Sequence, residues 1–296
     1  MTASHVPVLT AEVLRQLRPE RGGVFVDCTV GLGGHSRALL EAGATRIIGL
    51  DRDSEALTEA RLSLSAFADR VDLVHADYRT VEDVLDQRGI QLVDGALADL
   101  GVSSMQFDSP GRGFSFQRDE PLDMRMDRAA GATAAHLIAG STEEELADTI
   151  YAYGEERFSR RIARALVAAR RESPIETTGR LAAIVRRAVP KRGYSRIDSA
   201  TRTFQAFRIW VNRELEGLDR FLEAATRRLR VGARLAVITF HSLEDRIVKH
   251  TLRALAHGDA ATLKILTKKP VVADEDEVRH NPRSRSAKLR AAEKVA

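Results

Sequence analysis

Short apolar runs alternate with amphipathic stretches over the first hundred residues. Val24–Cys28, Arg46–Leu50, Val71–His75 and Val93–Ala98 are rich in aliphatic residues. They read as strands. Between them lie helical patterns: His35 to about Ala42, the stretch SEALTEARLSLSAF with Ser54 as its N-cap, and TVEDVLDQRG, capped by Thr80 and closing at Gly89. A further helix, Val6–Leu17, leads in. Strands alternating with helices predict a parallel, doubly wound sheet, the α/β class.

The alternation then stops. Gly101–Asp127 has little periodicity and is longer than a plain connection. From about Thr133 to Arg192 the pattern is helical only, in TEEELADTIYAYG, ERFSRRIARALVAARR and GRLAAIVRRAVP. One long helix is expected from Thr201 to about Leu229. The sheet resumes at Ala233–Phe240 and closes with Ala287–Glu293 as an edge strand, after a polar, irregular ADEDEVRHNPRSRS. The expected organisation is a core of residues 1–108 and 206–296, interrupted by an inserted helical domain at 109–205.

Composition adds limits. The chain has 296 residues, 44% hydrophobic and 30% charged, as in a soluble globular protein. No run approaches the ~20 apolar residues of a membrane span, and the start lacks the pattern of a secretory signal. One cysteine, Cys28, excludes an internal disulfide and fits a reducing compartment. The eight histidines are scattered, so no metal site is indicated. Net charge is +4, but Ile150–Arg213 holds 15 Lys/Arg against 5 Asp/Glu. A basic segment on a mildly acidic body suits a polyanionic partner.

Candidate chemistry begins at GVFVDCTVGLGG (Gly23–Gly34) and IIGLDRD (Ile47–Asp53). Strand, glycine turn, helix, strand and acid form a nucleotide-binding βαβ unit, with Asp51 placed to accept bonds from a ribose diol. A nicotinamide site prefers G-x-G-x-x-G/A; here the third small position is Ser36, and Asp27 stands just before the turn. That carboxylate would repel a pyrophosphate but suits a sulfonium and an ammonium, so S-adenosylmethionine is favoured. Asp27, Asp51, Asp77 and Asp99 all fall at strand ends, the edge where open α/β sheets bind ligands. Tyr78 could flank an adenine face or pack in the core. The fourth strand runs on as DLGVSS, where methyltransferases acting on exocyclic amines hold the amino group beside the methyl donor. Asp99 with Ser103 or Ser104 is the candidate set near that amine. His241, ending a later strand, reads equally as a substrate contact or a structural residue.

Arg157, Arg160, Arg161, Arg164, Arg186, Arg187, Lys191 and Arg192 fall in the basic segment. Tyr194, Phe204, Phe207 and Trp210 lie among Arg196, Arg202, Arg208 and Arg213. Cations interleaved with aromatics suit nucleic acid, although Phe204, Phe207 and Trp210 lie on one helical face and are expected to pack against the sheet.

Taken together and in order, HVPVL, VDCTVGLGGHS, LDRD, DLGVSSMQFD, RGFSF, PLDMRMD, YGEERFSRRIARA, TRTFQAFRIWVN and FHSLEDRIVK closely resemble the bacterial RsmH (MraW) family. These are the 16S ribosomal RNA cytosine-N4 methyltransferases, and the resemblance spans nearly the whole chain. It implies a class I S-adenosylmethionine-dependent methyltransferase, Rossmann-like with a mostly parallel sheet, carrying an inserted all-helical domain. It implies methylation of the exocyclic N4 of the cytosine numbered 1402. Carried over by motif, the S-adenosylmethionine contacts are Gly33, Gly34, His35, Asp51, Tyr78, Asp99 and Gln106. The implied partner is 16S rRNA in the small ribosomal subunit, and the implied location is the cytoplasm. Neither DNA nor a membrane is expected, and a homodimer is among the assemblies open to it. Two other readings stand beside this one: a nicotinamide-dependent oxidoreductase, and a non-catalytic rRNA-binding assembly factor on a vestigial fold.

Overall fold

A computed structural model describes residues 7–190, 198–258 and 261–296, with the side chain of Ser104 left out. Two compact units share the chain: Met1–Gly101 with Leu215–Ala296, and Val102–Glu214. The pattern reading put the joins at 108/109 and 205/206; both fall further out because the helices at the joins belong whole to the second unit.

The first unit is a seven-stranded sheet. Its strands are β1 (Val24–Asp27), β2 (Arg46–Asp51), β3 (Val71–His75), β4 (Val93–Asp99), β5 (Leu229–Thr239), β6 (Leu263–Ile265) and β7 (Lys288–Lys294). Their order is β3-β2-β1-β4-β5-β7-β6, parallel from β3 to β5, with β7 antiparallel to both β5 and β6. Helix α1 (Thr10–Leu17) leads into β1, and α2 (Gly34–Glu41), α3 (Ser54–Ser63) and α4 (Val81–Asp86) connect the first four strands. Neighbouring residues of each strand point to opposite faces. Phe25, Ile47, Leu97 and Ala236 enter one core with Leu39 of α2 and Leu57 of α3. Val26, Ile48, Ala96 and Val237 enter another with Val84 of α4. Burial on both faces is why these strands read as continuous apolar runs. The chain turns from β1 outward through β2 and β3, then returns to β4 on the other side. The carboxyl ends of β1 and β4 therefore flank the switch point where such sheets bind ligands.

The second unit holds α5 (Ser104–Asp108), α6 (Ala134–Gly140), α7 (Glu143–Gly154), α8 (Ser159–Glu172), α9 (Thr178–Ala188) and α10 (Thr201–Asn212). Its core joins Ile150, Ile162, Leu166, Leu181 and Val185 to Phe204 and Phe207. The aromatics of α10 thus pack among these helices, Phe204 edge-on to Phe116 at 4.7 Å, and not against the sheet. In the nominally irregular stretch after β4, Asn212 acts as a clasp. Its Nδ2 donates to the Met124 carbonyl (2.7 Å) and its Oδ1 accepts from the Met126 N–H (2.8 Å).

Several expectations are corrected. The single helix from Thr201 to Leu229 is two, α10 and α11 (Leu218–Arg227). Arg213 ends α10 at φ 51°, and Gly217 opens α11 at φ 68°. Two left-handed residues in five reverse the direction in a way that helical periodicity does not reveal. After α12 (Ser242–Leu255), the short β6 takes the sheet edge, so Ala287–Glu293 marks an inner strand, β7. Three residues carry too little pattern for β6 to be seen. ADEDEVRHNPRSRS contains α13 (Glu275–His280), capped by Asp274. The N-cap of α3 is Asp53, which accepts from the Glu55 and Ala56 N–H groups, and not Ser54. Thr80 begins α4 without a side-chain cap. Among the described residues, no helix is long and apolar enough to cross a membrane.

Asn212→Ala should destabilise the protein by about 2 kcal/mol or more, because it leaves a buried N–H and a buried carbonyl without partners. Urea denaturation followed by circular dichroism checks this.

Candidate active site at the carboxyl edge of the sheet

Buried Asp27 organises the edge. Its Oδ2 accepts from the Ser36 hydroxyl (2.7 Å) and its Oδ1 from the Thr29 N–H (3.2 Å). Thr29 in turn accepts the Asp99 N–H on its Oγ1 at 2.6 Å. One carboxylate thereby joins the end of β1, the first turn of α2 and the end of β4. Burial pushes the Asp27 carboxyl up, and nearby His35 and the Ser36 bond offset this in part. Asp27 is only 1% exposed, so it supports the edge from inside and is not the ligand-facing anion expected, whereas Asp51 is part-exposed. In residue order alone Thr29 has no role, and Ser36 is marked only as the third small position of the turn. The acid two residues before Thr29 was the available signal, an Asx-type turn.

Asp51 bridges the glycine turn to the next helix. Its Oδ2 accepts from the Gly31 N–H and its Oδ1 from the Asp53 N–H, both at 2.8 Å. Burial dominates its titration and raises it from 3.8 to about 6, against the two backbone bonds. Each oxygen keeps a lone pair for a further donor. Gly31 (φ 52°) has open space where a Cβ would stand, with nothing nearer than 3.9 Å. The smallness of Gly33 and Gly34 serves the fold itself. A Cβ at Gly33 would meet Ser63 Oγ at 2.8 Å, and one at Gly34 would meet Pro7 at 3.0 Å.

Asp99 and His35 form the centre. His35, buried in the first turn of α2, places Nε2 3.5 Å from Asp99 Oδ2. Asp99 Oδ1 and both His35 ring nitrogens are buried without a hydrogen-bond partner among the described residues. Buried acceptors and donors rarely stay unmatched, so this cluster fits a polar ligand carrying its own donors and acceptors.

The other strand-end acid differs. Burial would raise Asp77, but two hydrogen bonds from Arg79 (2.6 and 2.7 Å) outweigh it and hold the carboxyl below the usual range. Asp77 is a structural ion pair, so the rim of four acids narrows to Asp51 and Asp99. Tyr78 begins a 3₁₀ turn and packs partly buried against Phe221, ring centroids 4.7 Å apart. Cys28 is buried, which pushes its thiol up and leaves it no nucleophilic character. His241 caps α12, its Nδ1 accepting the Glu244 N–H at 3.4 Å, and its buried Nε2 lies 3.1 Å from Glu244 Oε1.

Ser103 and Gln106 belong to the second unit and form a capping box on α5. The Ser103 N–H donates to Gln106 Oε1 (3.0 Å), and the Gln106 N–H donates to Ser103 Oγ (3.3 Å). Ser104 lies outside the described side chains, and Lys191, Arg192, Tyr194 and Arg196 lie outside the described residues. Of the other second-unit cations, several are committed internally. Arg208 pairs with Glu214 (2.8 Å), Arg186 with Asp198 (2.7 Å) and Arg164 with Glu143 (3.6 Å). Arg157 stacks over Phe158 at 4.7 Å, while Arg160 and Arg161 are exposed on α8.

A doubly wound sheet with a glycine turn, a ribose-type acid and unmatched polar groups at its switch point defines a class I S-adenosylmethionine-dependent methyltransferase. More narrowly, the chain belongs to the MraW methylase family, whose sequence model matches residues 2–295. It is 53% identical over 291 residues to the ribosomal RNA small subunit methyltransferase H of Sorangium cellulosum (strain So ce56), covering 98% of this chain and 91% of that protein. The protein of the same name from Bradyrhizobium diazoefficiens is 50% identical over 307 residues, covering 100% and 93%. Among solved structures, an rRNA methylase from Streptococcus thermophilus aligns at 12% identity and TM-score 0.43, over 97% of this chain and 94% of that one.

The raised Asp51 carboxyl gives a pH test. A ribose diol donates more strongly to the carboxylate than to the neutral acid, so a bound nucleoside would favour loss of the proton. Affinity for S-adenosylhomocysteine should be level above pH 7 and fall below about 6, approaching tenfold per pH unit. Asp51→Asn should bind weakly and lose this slope, as read by titration calorimetry.

Proposed function

We propose that this protein methylates the exocyclic N4 of cytosine 1402 in 16S rRNA of the small ribosomal subunit, in the cytoplasm. The observation that carries the reading is Asp99: a carboxylate at the end of β4 with one buried oxygen unmatched and the other beside His35. When bound, S-adenosylmethionine supplies an electrophilic methyl group on a positively charged sulfur. Asp51 would hold the ribose hydroxyls. The turn at Gly31–Gly34, with His35, would line the remainder of the cofactor, and Tyr78 and Gln106 carry over from the family motif alone.

Asp99 Oδ1 would accept an N–H of the cytosine amine. That bond draws the nitrogen lone pair out of conjugation with the ring and aims it at the methyl carbon. Methylation of the nitrogen would leave the amine cationic. A carboxylate at Asp99 stabilises that charge until the surplus proton leaves to solvent. Alignment of nitrogen, carbon and sulfur supplies the rest of the acceleration. The base must be unstacked to reach this edge, since RNA helices hide base edges. The exposed Arg160 and Arg161 are suited to hold the RNA backbone.

The test is transfer of labelled methyl to 30S particles, followed by mass spectrometry of the digested rRNA. Wild type should add one methyl to N4 of cytosine 1402, and Asp99→Ala should lower kcat on the order of 100-fold. Unlabelled 30S, or label on another base, overturns the assignment.

A further inference from the structure

The outer edge of the first unit carries a groove that the reaction leaves unused. It lies between the last turns of α12, the β6 edge and β7, with a volume of about 390 Å³. That is the size range of small-ligand sites. Leu252, Ile265 and Ala291 give it an apolar floor, and Lys249, Arg253, His257, Lys268 and Arg290 bring cationic or basic groups around it. None of the described lining residues is acidic.

The helix dipole explains Arg253, which lies in the last turn of α12. It does not explain Lys268, beyond β6, or Arg290, on β7. Arg290 is held by Asp245 through two bonds (2.7 and 3.1 Å), which fixes its guanidinium as part of the wall. Arg253 and Lys268 are exposed and have no acidic partner among the described residues. The His257 ring is fixed, its Nδ1 donating to the Arg253 carbonyl at 2.7 Å.

An apolar floor inside a cationic rim matches one chemical shape: a flat heterocycle attached to a phosphate. We infer that the groove binds one unpaired nucleotide of the RNA substrate, its base on Leu252, Ile265 and Ala291 and its phosphate against Arg253 and Lys268. This deepens the proposed function and rests on it. The location is consistent with a strand running on from the reaction. Helix α12 starts at the carboxyl end of β5, and Ile238 of β5 pairs with Asp99 of β4. Arg253 follows roughly 16 Å down that helix. The groove would hold the strand a few nucleotides from its target base and so govern substrate affinity, leaving the methyl-transfer step unchanged.

The double variant Arg253→Glu/Lys268→Glu tests this, with Arg21→Glu as an exposed control elsewhere on the same unit. Full-length proteins are compared for S-adenosylhomocysteine affinity, for KM and kcat on 30S particles, and for RNA affinity against salt. The double variant should keep its S-adenosylhomocysteine affinity and kcat, raise KM about tenfold, and lose about 0.7 from the salt slope, the share of one phosphate on a single strand. Arg21→Glu should leave all of these near wild type. If wild type transfers methyl and the double variant matches it in KM and salt slope, the groove assignment is wrong while the proposed function stands. An equal effect of Arg21→Glu also overturns the groove. If wild type transfers no methyl to rRNA, the proposed function fails and takes the groove with it.

Discussion

The buried carboxylate of Asp27 governs how the active edge is built. An acid in an apolar interior is tolerable only when its oxygens are matched. Here the matches are Ser36 on α2 and the Thr29 backbone on the turn. Because Thr29 also holds the Asp99 amide, the ends of β1 and β4 and the start of α2 are tied through one short hydrogen-bond chain. Loosening it would let His35 and Asp99 drift, and those are the groups left unmatched. The molecule spends one acid on rigidity so that another can stay available.

The strand-end acids show how environment separates identical side chains. Asp27 is buried and matched by a hydroxyl and an amide. Asp51 is desolvated and raised to about 6. Asp77 is neutralised by Arg79. Asp99 keeps a bare oxygen beside a buried imidazole. Only Asp51 and Asp99 retain capacity for a ligand, and they differ in kind: one is tuned by burial, the other defined by a missing partner. A like division holds among the arginines of the second unit. Some are paired with Glu214, Asp198 and Glu143, while Arg160 and Arg161 are exposed on α8.

The sheet itself was open to reading from residue order. Parallel strands covered on both faces must be apolar throughout, and helices between them must be amphipathic, so the period of the pattern changes visibly at each boundary. The glycine turn, the acid of β2 and the interrupting block of helices were readable for the same reason: local chemistry repeated over enough residues. Family motifs extended that reading to the activity. β6, the break between α10 and α11, and α5 were not readable, because three to five residues, or a pair of left-handed backbones, leave no period to detect.

What the chain order alone decided is therefore the layer architecture and the kind of ligand at its edge, since both follow from pattern and residue type. Which of the strand-end acids keeps an oxygen free of internal partners depends on tertiary structure. Asp27, Asp51, Asp77 and Asp99 are indistinguishable as letters, and their roles arise from partners distant in sequence. Thr29 meets Asp99 seventy positions away, and Asp245 meets Arg290 across forty-five. Hydrogen-bond matching and desolvation act through space, and that space exists only once the sheet has closed.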